Sequence, residues 1–283
     1  MEKLTQQFLT GERALFQAKD MEIHYSTFAD GESPLKESRN VHLYDSLFQW
    51  KYPLWYSRDI RLDHCTLFEG ARAGIWYTHN IEISNTLIAA PKSFRRAAGI
   101  RLEHVHFPHA AETMWNCDNI EMHDVTVNGD YFAMGSSNIR VDGMELTGGY
   151  AFDGCRNVEV RNARLITKDA FWNCENVTVY DSLISGEYLG WNAKNVTFVN
   201  CVIESLQGMC YMEGVTMRNC RLLNTTLAFE YSTVDAEIDG TIDSVMNPTS
   251  GRIVADQVKE LILDETKIDP TQTTITIRED AHV

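Results

Sequence analysis

Tryptophan recurs at one position of a repeated segment in this 283-residue chain, close to carboxylates, amides and cations. The position lies five residues before a recurring Ile or Val. It holds Trp55, Trp76, Trp115, Trp172 and Trp191, with Arg95, Met134, Asp153 and Cys210 at the other repeats. The residue just before it is mostly apolar, as at Phe171, and suits a core. Alternation therefore predicts that the tryptophan column points outward, and a row of exposed indoles indicates a binding surface.

Aromatic rings flanked by polar groups suit a sugar, because a ring face stacks on the C–H side of a pyranose while the polar groups bond its hydroxyls. The sequence predicts a carbohydrate ligand at Trp115, Lys168, Trp172, Asn173, Tyr188, Trp191, Asn192 and Tyr231. The competing interpretation is that residues 27–38 or the C-terminal segment cover the tryptophans and turn them into a second small core. The sequence leaves both open.

Three carboxylates in the same region are candidate catalytic residues: Asp169, Glu187 and Glu230. A glycoside hydrolase needs two carboxylates about 5–10 Å apart, and adjacent repeats would supply that spacing for Asp169 with Glu187 or for Glu187 with Glu230. A lyase needs a Lys, Arg or Tyr base, for which Lys168, Tyr188 and Arg13 are candidates. Neither set is diagnostic, so whether the chain is an enzyme stays open.

The element that positions these residues is a repeat of about 19 residues. Its reference Ile or Val recurs in steps of 19 to 21 residues at Val41, Ile60, Ile81, Ile100, Ile120, Ile139, Val158, Val177, Val196 and Val215. Apolar residues alternate with polar ones inside each unit, which is typical of strands. A fixed period indicates one unit stacked on copies of itself. We therefore predict an all-β, single-stranded, right-handed parallel β-helix of twelve to thirteen coils.

Two ladders fix the predicted register. Asparagine precedes the reference residue at Asn40, Asn80, Asn119, Asn138, Asn157, Asn176 and Asn195, where it suits a left-handed turn and amide stacking. Arg and Glu alternate directly after the reference residue from Arg61 to Glu159, so that each charge lies between two of opposite sign. These ladders indicate structure and not chemistry.

The repeat argues for one domain over residues 1–283, with an N-terminal cap in 1–19, regular coils in 20–235 and irregular coils with a cap in 236–283. Net charge of −15 disfavours a nucleic-acid partner. No apolar run approaches 18 residues, so no membrane span is expected. The start of the chain lacks the regions of a signal peptide, which favours a cytoplasmic location. The oligomeric state stays open.

The seven cysteines are expected to be reduced thiols in stacks of small residues. Cys155 with Cys174, and Cys201 with Cys220, lie one period apart and within disulfide reach, which is the alternative. His104 and His106 are a candidate metal pair without a third ligand. No metal or other cofactor is predicted.

Five segments carry a resemblance to a known family: residues 11–16, 30–37, 168–172, 186–191 and 229–232. With them the chain resembles, over nearly its whole length, a bacterial family known as domain of unknown function 3737. The resemblance implies a pectate-lyase-like right-handed β-helix. It implies no activity, because none is established for the family.

Three functions follow as hypotheses. The chain is a carbohydrate-active enzyme, a sugar-binding protein without turnover, or an interaction scaffold whose aromatic strip packs against a protein. The first two predict a sugar ligand at the strip, and the third predicts a protein partner there.

Overall fold

The chain folds as a right-handed parallel β-helix of about 15 turns with roughly 19 residues in each turn. The structure, a computed structural model, describes residues 1–278. Within that range there is no α-helix, and the two helical segments are the 3-10 turns Glu69–Ala71 and Pro270–Gln272. The sequence therefore predicted the fold class correctly and the number of turns slightly too low.

The chain divides into two compact units, residues 1–145 and residues 146–283. The single domain expected from the repeat stays a prediction. The strands of the first unit are Glu2–Thr5, Phe8–Leu9, Lys19–His24, Thr27–Phe28, Arg39–Tyr44, Leu47–Phe48, Arg58–Asp63, Thr66–Leu67, Ile75–Trp76, His79–Ser84, Leu87–Ile88, Phe94–Arg95, Ala98–Glu103, His106–Phe107 and Asp118–Asn128. Strand Ser137–Ala151 begins in the first unit and ends in the second.

The second unit continues with Arg156–Ala170, Glu175–Tyr180, Leu183–Leu189, Lys194–Val199, Val202–Gly208, Glu213–Leu223, Thr233–Ile238, Thr241–Met246, Ser250–Ala255, Gln257–Ile262 and Thr273–Ile277. Each strand pairs in parallel with its counterpart one turn away. Val177 lies opposite Val158 on one side and Val196 on the other. The reference residues that the period selected therefore stack in register, as predicted.

The turn count exceeds the expected one because both ends of the chain form turns of the helix. Residues 1–19, for which the sequence predicts a cap, contain strand Glu2–Thr5, which pairs in register with Met21–His24 and forms a first turn. At the other end, Ser250–Ala255 pairs with Thr233–Glu237, and Thr273–Ile277 pairs with Gly251–Ala255. The strand pattern there is parallel even though the sequence period is lost.

The asparagine ladder holds the entry to each turn. Asn176 has a backbone φ of 59°, in the left-handed region, and Asn80 has 55°. The amide of Asn195 donates to Asn176 Oδ1 at 3.2 Å, and the amide of Asn80 donates to Asp59 Oδ1 at 3.0 Å. Asparagine is suited to this position because its short polar side chain tolerates the left-handed region and bonds its neighbour.

The core is a narrow stack of aliphatic and phenylalanine side chains. Val41, Ile81 and Val196 are completely buried. Phe28 and Phe48 stack in the first unit at 4.8 Å, and Phe152 and Phe171 stack in the second at 5.4 Å. All seven cysteines are buried thiols. Burial raises the pKa of the Cys65 thiol to about 12, so that thiol is protonated at neutral pH.

Candidate functional site

The candidate site lies in the second unit, where strand Arg156–Ala170 ends beside strand Leu183–Leu189. Asp169 lies opposite Tyr188 in that pairing, and Ala170 lies opposite Leu189. Lys168 precedes Asp169 and Glu187 precedes Tyr188, so these two residues are also neighbours. Lys168 Nζ lies 3.9 Å from Glu187 Oε2. Both side chains are about half exposed, at 50% and 46%. The ladder thus places a solvent-facing cation beside a solvent-facing carboxylate.

Trp172 lies two residues after the end of strand Arg156–Ala170 and is 36% exposed. Its ring centroid lies 5.6 Å from that of Tyr150 at an interplanar angle of 37°. Lys168 Nζ lies 5.9 Å from the Tyr150 ring centroid. The tilted, partly exposed indole is therefore accessible, and it lies beside a cation and a phenol. We name Tyr150, Asp153, Lys168, Asp169, Trp172, Asn173, Glu187 and Tyr188 the Trp172 cluster.

Tyr188 joins the cluster to a second group of aromatic rings. Its centroid lies 5.2 Å from Trp191, which in turn stacks on Tyr211 at 5.7 Å and 15°. Tyr211 continues to Tyr231 at 5.5 Å. Because Trp191 stacks nearly parallel on Tyr211, one face of its indole is covered by the next turn. Trp191 therefore offers less free ring surface to a ligand than the sequence indicated.

Asn173 and Asn192 occupy left-handed turn positions, with φ values of 54° and 60°. The amide of Asn192 donates to Asn173 Oδ1 at 2.9 Å, and the amide of Asn173 donates to Asp153 Oδ1 at 3.4 Å. These two predicted ligand-binding residues thus also form a structural ladder. Both side chains remain exposed, so their unused polar atoms still face solvent.

Asp169 is the buried acid of the cluster, with 2% of its surface exposed. Its Oδ1 accepts a hydrogen bond from the Gly190 backbone N–H at 3.1 Å. Burial raises the pKa of Asp169 to about 7; the charge of nearby Asp153 acts in the same direction, and the Gly190 hydrogen bond opposes it. Burial also raises the pKa of Asp153. A carboxyl group that carries a proton near neutral pH is a candidate general acid.

The three candidate catalytic carboxylates differ in their surroundings. Asp169 is buried, whereas Glu187 is exposed and pairs with Lys168. Glu230 is partly exposed, and its backbone carbonyl accepts a hydrogen bond from the Tyr211 N–H at 2.8 Å. The hydrolase geometry, with two carboxylates facing one bond, stays a prediction for these residues.

Cys210 departs from the outward direction that the sequence assigned to the tryptophan column. Its thiol is buried, with 3% of the residue exposed. Burial, together with the charges of nearby Glu230 and Asp169, raises the pKa of the Cys210 thiol to about 12. The position faces outward where it holds Trp172, but it is covered where it holds Cys210.

Trp115 belongs to the first unit, where it is part of an aromatic column. Trp55 and Trp76 stack at 5.3 Å and 7°, and the Arg95 guanidinium lies 4.6 Å from Trp76 and 4.8 Å from Trp115. The indole N–H of Trp115 donates to the Tyr131 carbonyl at 2.7 Å. Cation–π contact and hydrogen bonding give Trp115 a structural role in this column.

Sequence reasoning overlooked Tyr150 and Asp153 as site residues. Asp153 does stand in the tryptophan column, and the replacement of an indole by an acid was a usable signal. Tyr150 lies one period before Asp169 and two periods before Tyr188, so the period itself was a usable signal for this residue as well.

Residues 2–276 match the family described as "Protein of unknown function (DUF3737)". The chain belongs to this family. The match covers nearly the whole chain and confirms the resemblance carried by its five sequence segments. A search of curated proteins finds no significant match.

Solved structures similar to this DUF3737 member include several bacterial and phage proteins. The A-module of mannuronan C-5 epimerase AlgE4 from Azotobacter vinelandii is 11% identical, with 98% of this chain and 89% of that chain covered and a TM-score of 0.33. A tailspike mutant of E. coli bacteriophage HK620, solved with a pentasaccharide, is 10% identical, with 91% and 62% covered and a TM-score of 0.47. The adhesin PfbA of Streptococcus pneumoniae is 9% identical, with 92% and 77% covered and a TM-score of 0.31.

The described part of the chain contains neither a membrane-spanning helix nor a metal-binding cluster of side chains. Residues 1–278 contain no helix that is long and apolar enough to cross a membrane. In the same range, no group of three His, Cys, Asp or Glu side chains is arranged to hold a metal ion.

Proposed function

We propose that the Trp172 cluster binds a carbohydrate. The observation that carries the proposal is the accessible indole of Trp172, which lies among groups able to bond sugar hydroxyls. Lys168 supplies an ammonium donor and Glu187 a carboxylate acceptor, 3.9 Å apart. A sugar that rests on the indole would cover apolar ring surface and satisfy polar groups at its edge, which is the usual composition of a small-molecule site.

The arrangement favours a neutral sugar or one of low charge at this cluster. Lys168 is balanced by Glu187, and Asp153 and Asp169 both have raised pKa values. A strongly anionic ligand would meet the carboxylates of Glu187 and Asp153. Hydroxyl groups can donate to these carboxylates and accept from Lys168, so a polyol surface complements the cluster.

The finer proposal is that Asp169 acts as an acid on the bound sugar. Its raised pKa suits protonation of a leaving oxygen at neutral pH. Glu187 would then be the ionised partner, since it is exposed and lies beside a cation. Hydrolysis would require that Asp169 be uncovered by ligand binding, because only 2% of the residue is exposed.

The test is a thermal-shift screen of the purified chain against mono- and oligosaccharides, followed by calorimetric titration of each hit. A ligand at about 100 times its Kd stabilises the native state by about 2.7 kcal/mol. Trp172→Ala should weaken binding by about 1–3 kcal/mol, the amount that burial of a large apolar side chain contributes. Incubation of the hit with the protein, with sugar products analysed over days, separates an enzyme from a binding protein.

Trp50→Ala is the matched control for Trp172→Ala. Trp50 is 40% exposed and lies in the first unit, so its loss removes a comparable surface indole. Binding that is unchanged in Trp50→Ala and weakened in Trp172→Ala supports the proposal. Equal binding in both variants would show that the ligand does not contact Trp172.

A second candidate function is an interaction scaffold, in which a protein partner would cover the exposed indole of Trp172. Stacking of Trp191 on Tyr211, and the amide ladder of Asn173 and Asn192, give these residues structural partners without any ligand. This candidate predicts that no sugar in the panel shifts the melting temperature. It also predicts that light scattering detects a stable oligomer, which Trp172→Ala would dissociate.

A further inference from the structure

The first unit carries a column of basic side chains. The same register position on the stacked strands of four consecutive turns holds Lys19, Arg39, Arg58 and His79. All four residues are exposed. Because neighbouring strands lie about 4.8 Å apart, the column presents one basic side chain per strand spacing. We name these four residues the basic column.

Among the described residues, the cations of the basic column form no direct ion pair with a carboxylate. Within residues 1–278, Lys19, Arg39 and Arg58 form no ion pair, whereas nearby Lys51 pairs with Glu32 at 2.8 Å. The acids that follow two of the cations in sequence have other partners: Asp20 accepts from the Asn40 amide at 2.6 Å, and Asp59 accepts from the Asn80 amide at 3.0 Å.

At the same register position in the second unit, stacked charges alternate in sign. There the column reads Arg156, Glu175, Lys194 and Glu213, with strictly alternating charge. Arg156 lies 3.7 Å from Glu175, and Lys194 lies 3.0 Å from Glu213. Alternation stabilises stacked charges, and like charges in adjacent positions repel. The basic column therefore departs from the pattern of its own fold, and such a departure indicates a function.

The charge of the chain is distributed in the same sense. Residues 1–101 contain 13 Lys and Arg against 12 Asp and Glu, whereas the rest of the chain contains 12 against 28. Residues 1–101 thus lack the excess of acidic side chains that would repel an anion from the rest of the chain. Asymmetry of this kind suggests a partner of opposite charge.

Apolar ring surface lies beside the column. Tyr56 and Tyr77 precede Arg58 and His79 by two residues, and their rings stack at 4.7 Å and 6°. Tyr56 is 51% exposed. Lys36 Nζ lies 5.7 Å from its ring centroid and adds another cation. The column therefore combines regularly spaced positive charge with an exposed aromatic edge.

We propose that the basic column binds an anionic glycan, a chain that carries a carboxylate or sulfate group on each sugar ring. A pyranose in an extended chain advances by a distance close to one strand spacing, so successive anions would meet successive basic side chains. The C–H surface of the rings would lie against Tyr56. The overall charge of −15 opposes any anionic partner, but the nearly balanced charge of residues 1–101 lowers that repulsion at the column. The site is independent of the carbohydrate proposed at the Trp172 cluster.

The test is calorimetric titration at low salt with three hexasaccharides. They are an oligouronate, its neutral carboxyl-reduced counterpart, and a sulfated form of that neutral counterpart. At least one anionic hexasaccharide should bind, and its affinity should fall as salt is raised, because salt screens exposed charges. The double variant R39Q/R58Q should weaken that binding about tenfold, because it removes two of the charges that meet the anionic groups. Trp172→Ala should leave it unchanged.

The matched control is R164Q/R221Q, which removes two exposed arginines of the second unit that form no ion pair among the described residues. It changes net charge by the same amount and should alter affinity less than twofold. Three results would overturn the proposal: equal binding of the neutral and anionic chains, equal loss in both double variants, or tighter binding of a thymidine hexanucleotide than of either anionic glycan.

Discussion

Asp169 shows how one buried acid can set the pH dependence of stability. Its folded-state pKa is raised from 3.8 to about 7, so the native state binds a proton more tightly than the unfolded chain does. Stability is therefore greatest at acid pH with respect to this group, and it falls as the pH rises from about 4 to about 7. Above that window the full cost of burying the charge is present.

Asp169→Asn removes this titration while it keeps the shape and an acceptor for the Gly190 N–H. The stability of the variant relative to the parent should rise by about 4 kcal/mol at most between pH 4 and pH 8. Urea unfolding at several pH values measures the difference. Asp63→Asn is the control. Hydrogen bonds from Asn85, Ser84 and His64 lower the pKa of Asp63 below 3.8. The contribution of that carboxylate to stability therefore changes only below about pH 4, and the difference between Asp63→Asn and the parent should stay constant from about pH 4 to about pH 8. A flat difference for Asp169→Asn would show that the acid is not proton-bound in the native state.

At the scale of the element, the asparagine ladder gives each turn its entry geometry. Asn176 combines a left-handed backbone with amide hydrogen bonding along the ladder. Asn176→Ala loses the amide bonds and places an unfavourable side chain in the left-handed region. Asn176→Gly loses only the bonds, since glycine adopts that region readily.

We expect Asn176→Ala to destabilise the chain by about 1–3 kcal/mol, as two effects of about 1 kcal/mol combine. Asn176→Gly should cost less. Thermal unfolding followed by circular dichroism ranks the two variants. If glycine were as costly as alanine, the amide bonds alone would carry the contribution of this position, and the backbone would contribute little.

The ladders also show which parts of the fold the sequence could predict. Ile81 lies opposite Ile60 and Ile100, as the period requires, because a parallel stack repeats every interaction and so repeats its sequence pattern. The site depends on departures from that pattern. Asp169 adjoins exposed Lys168 in the chain but is buried. Alternation in a strand requires that the two face opposite sides, but both residues are charged, so their types did not indicate which one faces inward. Cys210 occupies the position one period after Trp191. Tyr211, the ring that covers Trp191, is the next residue, so the period alone did not indicate that it would stack there.

In the aromatic column of the first unit, a cation lies between two indoles and is expected to stabilise the fold. Arg95 lies between Trp76 and Trp115, and its guanidinium also lies 3.6 Å from Glu112. Arg95→Met keeps the length and apolar surface of the side chain but removes the charge. We expect a loss of about 1–2 kcal/mol from cation–π contact, measured by urea unfolding. Arg72→Met, an exposed arginine of the same unit, should stay within about 0.5 kcal/mol of the parent.

At the scale of the whole molecule, net charge opposes the compact state. The chain carries 40 acidic and 25 basic side chains. Self-repulsion of a net charge of −15 destabilises the native state, and added salt screens it. Salt also weakens the ion pairs of the ladders, such as Arg61 with Glu82 at 2.9 Å. Those pairs are exposed, and each contributes little, so the repulsion should be the larger effect.

The melting temperature should therefore rise by a few degrees when sodium chloride is increased from about 20 mM to about 500 mM. A change of about 1 kcal/mol moves the midpoint of a chain of this size by roughly 2 °C or more. Sodium chloride is suited to the test because it screens charge without the strong exclusion effect of sulfate. A fall in the melting temperature would mean that ladder ion pairs contribute more than self-repulsion costs. The alternating charges that follow the reference residues would then be a principal source of stability and not only a device for register.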